Sequence, residues 1–180
     1  MTGIPLIEPE TATGPAARWL AEAQQTFGIT PNLVKALANS PAALRGFLAM
    51  TLALREEGRL SASTRTRIGL LVAQEHRSAY GLSVHSFLAG TVGGLSEREV
   101  AEARRGRAED AKASAVLAYA AALLRGRGAV TALESAAAAR DLTAEEQTEV
   151  IAQVIVHSLA DWLALAAGIP VDWPLVSPDD

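Results

Sequence analysis

Apolar positions recur at intervals of three and four residues along almost the whole chain, and no stretch keeps the two-residue alternation of a half-buried strand. The pattern predicts helices over roughly 15–26, 31–38, 41–57, 62–76, 79–92, 97–105, 108–125, 129–139 and 144–167. Punctuation between these runs is dense. Thr30-Pro31 and Ser40-Pro41 each offer a capping hydroxyl followed by proline at the first helical position. Ser96-Glu97-Arg98-Glu99 and Thr143-Ala144-Glu145-Glu146 read as capping boxes, while Gly28, Gly58, Gly94, Gly106 and Gly168 stand where helices should stop. The expectation is an all-α single domain of about eight or nine helices spanning 14–180, preceded by a proline-bearing arm over 1–13 that packs on the body or on a partner.

Two runs echo each other at an offset of 82 residues: Leu60-Ser61-Ala62 leading to Glu75, and Leu142-Thr143-Ala144 leading to His157. Internal duplication and two similar amphipathic helices both account for it. In the last helix Val150, Ile151, Val154, Ile155, Leu159, Leu163 and Ala166 follow helical spacing, and further apolar residues widen the stripe beyond one face. Such a helix is central in the domain or buried between subunits, so a homo-oligomer (dimer, trimer or hexamer) is expected.

Composition narrows the function classes. Aromatics are 4% of the chain against 49% apolar residues overall, so the core is built from Ala, Leu, Val and Ile, which favours close helix packing. Sixteen basic and twenty acidic residues give a net charge of −4 without a basic run longer than Arg104-Arg105-Gly106-Arg107, which argues against nucleic acid as a partner. No apolar stretch is read as reaching the roughly 20 residues of a membrane span, and the N-terminus lacks a signal-peptide pattern, so a cytoplasmic protein with no membrane partner is expected. The chain contains no cysteine, which removes disulfides, thiolate metal sites and thiol redox chemistry.

Candidate chemistry gathers at Glu75-His76-Arg77-Ser78-Ala79-Tyr80-Gly81-Leu82-Ser83-Val84-His85. On a helix starting near Ser78, Ser78 and His85 share nearly the same face. His85 is either a general acid/base whose tautomer is set by Glu75 or Tyr80, or a hydrogen-bonded structural histidine. Glu75 follows Leu70-Leu71-Val72 and is placed near the buried end of its helix. His76, adjacent to it, diverges by about 100° and reads as solvent-facing. Ser78 reads as a helix N-cap, since no nucleophile elbow or third triad member accompanies it. Tyr80 reads as half-buried with its hydroxyl bonded. His157 and Asp161 lie four apart and share a face; they either satisfy each other in the core or an interface, or line one cavity with His85. No histidine spacing is a recognisable ligand motif, so neither a metal nor a cofactor is expected.

These features together resemble the carboxymuconolactone decarboxylase / alkylhydroperoxidase D-like (AhpD-like) family. The resemblance covers roughly residues 27–172. It is carried by Phe27-Gly28-Ile29-Thr30-Pro31-Asn32-Leu33, Asn39-Ser40-Pro41, Ile68-Gly69-Leu70-Leu71-Val72-Ala73, Ser78-x-x-Gly81-x-x-x-His85, Gly94-Leu95-Ser96-Glu97 and Gly168-Ile169-Pro170-Val171-Asp172. It implies an AhpD-like helical bundle. It also implies that the peroxidase members' two cysteines fall at Ser78 and Gly81, their relay glutamate at Thr66 and their distal histidine at His85, with a turn between Glu75 and Ser78. Serine and glycine cannot form the disulfide or sulfenate of that reaction. The expected function is a cofactor-independent acid/base enzyme, of decarboxylase or lactone/isomerase type, acting on a small organic acid through His85, Glu75 and Tyr80. The rivals are a non-catalytic binding or assembly module, and a peroxidase by homology, which the missing cysteines argue against.

Overall fold

The computed structural model describes residues 3–179. Its helices are α1 (Gly14–Phe27), α2 (Asn32–Leu37), α3 (Pro41–Glu56), α4 (Ala62–Glu75), α5 (Ala79–Leu88), α6 (Glu97–Arg104), α7 (Ala111–Arg125), α8 (Ala132–Asp141) and α9 (Ala144–Ala167), with no strand among the described residues. Local chemistry explains most boundaries. The hydroxyls of Ser40, Ser61, Ser78, Ser96, Thr131 and Thr143 each accept from a backbone N–H in the first turn that follows. Each such cap contributes about 1 kcal/mol.

Three boundaries differ from the sequence expectation. Thr30 does not cap α2: its hydroxyl bonds the Gln24 side chain at 2.8 Å, and extended Pro31 takes the cap position. The first N–H of α2 is instead satisfied from the far end of the chain, Asn32 N donating to Asp172 Oδ2 at 2.6 Å. α8 begins at Ala132, because Thr131 and Glu134 form a third capping box. The span over 79–92 is α-helical to Leu88 and then widens into a π-helical turn, Ala89–Gly93, ended by left-handed Gly94.

α4 sits at the centre, against α5, α6, α7 and α9. Its residues Ile68 to Ala73 are buried on every side, which is why it carries no one-sided apolar stripe. One core groups α1, α2 and α3 with Tyr80 and the end of α9; a second groups α4, α7, α8 and the start of α9. Ile4, Leu6 and Ile7 of the arm pack on the first core, fixed by Ile7 N donating to Lys35 O at 3.2 Å.

α9 corrects the membrane-span expectation. It is 24 residues long with a mean hydropathy of 1.7 over its most apolar window, so by length and composition it could cross a bilayer. Glu149, Gln153, Ser158 and Asp161 on it are buried in the fold, whereas Ile155, Leu159, Trp162 and Leu165 form an exposed apolar stripe.

Candidate functional site: a histidine-lined apolar cavity

A cavity of about 410 Å³ lies between α1, α2, α3, α4, α5 and α9. That is within the about 300–1,000 Å³ range of small-molecule pockets. Phe27, Leu33, Phe47, Leu54, Val84 and Val156 give it a largely apolar wall. Ile29 and Val92 line it and are themselves exposed, which places its opening between the α1–α2 loop and the π-helical turn. Polar residues on the wall include Thr51, Arg55, Arg65, His85, His157 and Asp161.

His85 from α5 and His157 from α9 meet edge to face, ring centroids 4.6 Å apart. Gly69 makes room for this: a Cβ there would come within 2.5 Å of the His85 ring. Among the described residues Nδ1 of His85 and Nε2 of His157 are buried without a hydrogen-bond partner, and the same holds for Thr51 Oγ1 on the same wall. Buried polar atoms are ordinarily paired, so three unpaired ones around one cavity mark it as a place for a polar ligand atom.

Burial pulls both imidazoles below the usual histidine value of 6.5. For His157 the neighbouring His85 adds to the shift and takes it well below that value, whereas for His85 the carboxylate of Asp161 opposes it. Both rings are therefore neutral near pH 7, each offering one N–H and one bare nitrogen. The depressed folded values mean that the unfolded chain binds more protons below about pH 6.5, so this contribution is whole above that pH and is lost as the pH falls. Urea denaturation should show stability declining below that point by up to about 1.4 kcal/mol per pH unit for each group, with a flatter decline in His157→Phe. An equal decline in that variant would assign the effect to other groups.

Tyr80 lines the cavity and its hydroxyl accepts from Leu33 N at 3.2 Å. Burial, followed by the negative charge of Asp172, pushes the phenol well above its usual value. It stays protonated, its O–H bonded to the Asp172 side chain.

The structure brings together His85, Tyr80, Gly81, Thr66, His157 and Asp161 on the cavity wall. It does not bring Glu75 there. Glu75 is exposed at the end of α4, where Arg77 takes a left-handed conformation (φ 53°) and turns the chain into α5. The buried run before Glu75 ends at Ala73, two residues too early to carry it inward. Ser78 is fully buried but caps α5, its Oγ accepting from Gly81 N at 3.0 Å, away from the cavity lining. His76 is not solvent-facing as expected: its side chain is 16% exposed, Nδ1 lies 3.4 Å from Asp161 Oδ2, and Trp162 packs on the ring. Asp161 thus pairs with His76, and His157 meets His85. Among the described residues no group of three His, Asp or Glu is placed to hold a metal ion. Thr51, Arg65 and Trp173 were not foreseen, since nothing local marks them.

Residues 41–125, from α3 to α7, match the family model described as Carboxymuconolactone decarboxylase family. That match covers just under half of the chain, which is similar to this family over those residues and contains no cysteine. No curated protein gives a significant sequence match. Among solved structures, the debrominase Bmp8, as an alanine variant in complex with 2,3,4-tribromopyrrole, is similar with a TM-score of 0.79 and 15% identity, covering 96% of this chain and 92% of its own. An uncharacterized peroxidase-related protein from Silicibacter sp. TM1040 gives 0.77 and 18%, covering 93% and 89%. The alkylhydroperoxidase AhpD core protein from Ralstonia eutropha JMP134, also peroxidase-related, gives 0.76 and 19%, covering 95% and 92%. At these identities the likeness is one of fold.

Position 81 has no room for a side chain in this fold. A Cβ on Gly81 would overlap Asp161 Oδ1 and come within 2.9 Å of Ala73 Cβ. The carboxylate occupies the space a side chain at 81 would need.

Proposed function

We propose that the cavity binds a compact, largely apolar organic acid and that His85 and His157 exchange protons with it, without cofactor or thiol. The observation that carries this reading is the pair of neutral imidazoles with unpaired buried nitrogens on one apolar wall. A neutral imidazole is a competent base near pH 7, and a low-dielectric wall strengthens whatever it bonds. Arg55 and Arg65 line the same cavity and supply positive charge for an acid group. Tyr80, its hydroxyl bonded to Leu33 N and to Asp172, shapes the wall, and Glu75 has no part. A flat ring the size of 2,3,4-tribromopyrrole, the ligand of the similar debrominase, also suits a cavity of this volume.

The test is calorimetric titration with small aromatic acids, lactone acids and 2,3,4-tribromopyrrole. At least one should bind, with affinity about tenfold or more weaker in His85→Ala and unchanged in Glu75→Ala. Binding by none, or binding indifferent to His85 and His157, would sink the proposal. One observation favours a second reading, a binding module without turnover: among the described residues His85 Nδ1 and His157 Nε2 have no partner to orient the rings. Turnover of the ligand that binds separates the two.

A further inference from the structure

We propose that Asp161 and His76 form the proton path between the cavity and solvent, a role that rests on the acid–base reading above. Asp161 projects from α9 one turn beyond His157 and is 3% exposed. Its carboxylate lines the cavity, and its hydrogen bond is the long one, 3.4 Å, to His76 Nδ1. The contrast with Glu149, the other buried carboxylate of α9, is informative. Glu149 accepts from Arg59 N at 2.7 Å and from Leu60 N at 3.2 Å, as a structural carboxylate should. Asp161 has no such pair of backbone donors, although a buried charge needs more than one long bond to offset its lost hydration. Its position is defended all the same, because any side chain at 81 would displace it.

His76 supplies the other end. It stands at the C-cap of α4, partly exposed, with the Trp162 ring 5.5 Å away. Glu75 and Arg77 flank it in the chain and are exposed, Arg77 being held by Asp179. On the inner side, Asp161 acts electrostatically on His85 of α5, and His157 lies on its own helix. In the transfer, the Asp161 carboxylate takes a proton released in the cavity. The Oδ2 proton then passes to His76 Nδ1, and the His76 ring gives up a proton to water on its exposed side. The carboxylate is regenerated, and the net change is one proton moved from cavity to solvent.

The test uses full-length protein labelled with [15N]histidine. Water exchange of the His85 and His157 ring N–H protons is measured by NMR in wild type, Asp161→Asn, His76→Gln and the double variant. Each single change should slow exchange by about tenfold or more, and the double variant should be no slower than the singles, as for two members of one path. Unchanged exchange in His76→Gln, or losses that add in the double variant, would overturn the proposal. His76 is partly exposed, so His76→Gln carries the test if Asp161→Asn fails to fold. The readout needs no ligand. A cavity that binds nothing therefore sinks the proposed function and leaves this measurement readable.

Discussion

Glu149→Ala should lower stability by about 3 kcal/mol or more, seen as a melting point down by roughly 6–12 °C, with α3 and α9 losing their connection first. Glu149 is 7% exposed, and its carboxylate accepts from the backbone N–H groups of Arg59 and Leu60, in the loop between α3 and α4. Removing it leaves two donors at a buried turn without partners, each costing about 1–3 kcal/mol. It also removes the charge that favours the Arg65 guanidinium, which burial already disfavours. Gly58 shows how tightly the loop is built around this group: a Cβ there would overlap both the carboxylate and the Leu54 carbonyl. Since the loop leads into Ser61 and α4, the loss should reach the cavity through Arg65 and Thr66. A measured change below about 1 kcal/mol would mean that water replaces the carboxylate without cost, and that the turn is not buried in solution.

Features set by neighbours in the chain were legible in the sequence. Ser40, Ser78, Ser96 and Thr143 cap as expected, because an N-cap bond closes within three residues. The missed capping box at Thr131 obeys the same chemistry and lay in an alanine-rich stretch where periodicity alone set the boundary. Features set by packing were not legible. The α2 cap comes from Asp172, 140 residues away, and no local pattern encodes it. Glu75 was placed inward from the apolar run before it, yet a residue at a helix end points where the following turn directs the chain, and left-handed Arg77 decides that. The His85–His157 contact needed the approach of α5 to α9, which depends on Gly69 and Gly81 as much as on the histidines. The spacing of His157 and Asp161 did put both on the inner face of α9, but it could not say which partner each meets.

Restoring cysteines at 78 and 81 should not restore a peroxidase. The variant Ser78→Cys/Gly81→Cys is expected to lose about 2–4 kcal/mol and to reduce hydroperoxide with a dithiol donor no faster than the wild type, itself at background. At 81 the new Cβ must displace the Asp161 carboxylate, and overpacking of this kind costs about 1–3 kcal/mol. At 78 a sulfur replaces the oxygen that accepts from Gly81 N, weakening the cap of α5 by up to about 1 kcal/mol. A thiol also needs a base to become a thiolate, and the position where the resemblance puts a relay glutamate is Thr66, whose hydroxyl donates to Ala62 O at 2.9 Å. Adding Asp161→Ala to the cysteine pair removes the overlap and should return part of the lost stability, which a general weakness of the variant would not do. An unchanged melting point in the cysteine pair would show that the carboxylate yields freely, and that Asp161 does not own the space beside Gly81. Turnover of hydroperoxide above background in the wild type would show that this cavity reduces peroxides by a route needing no thiol.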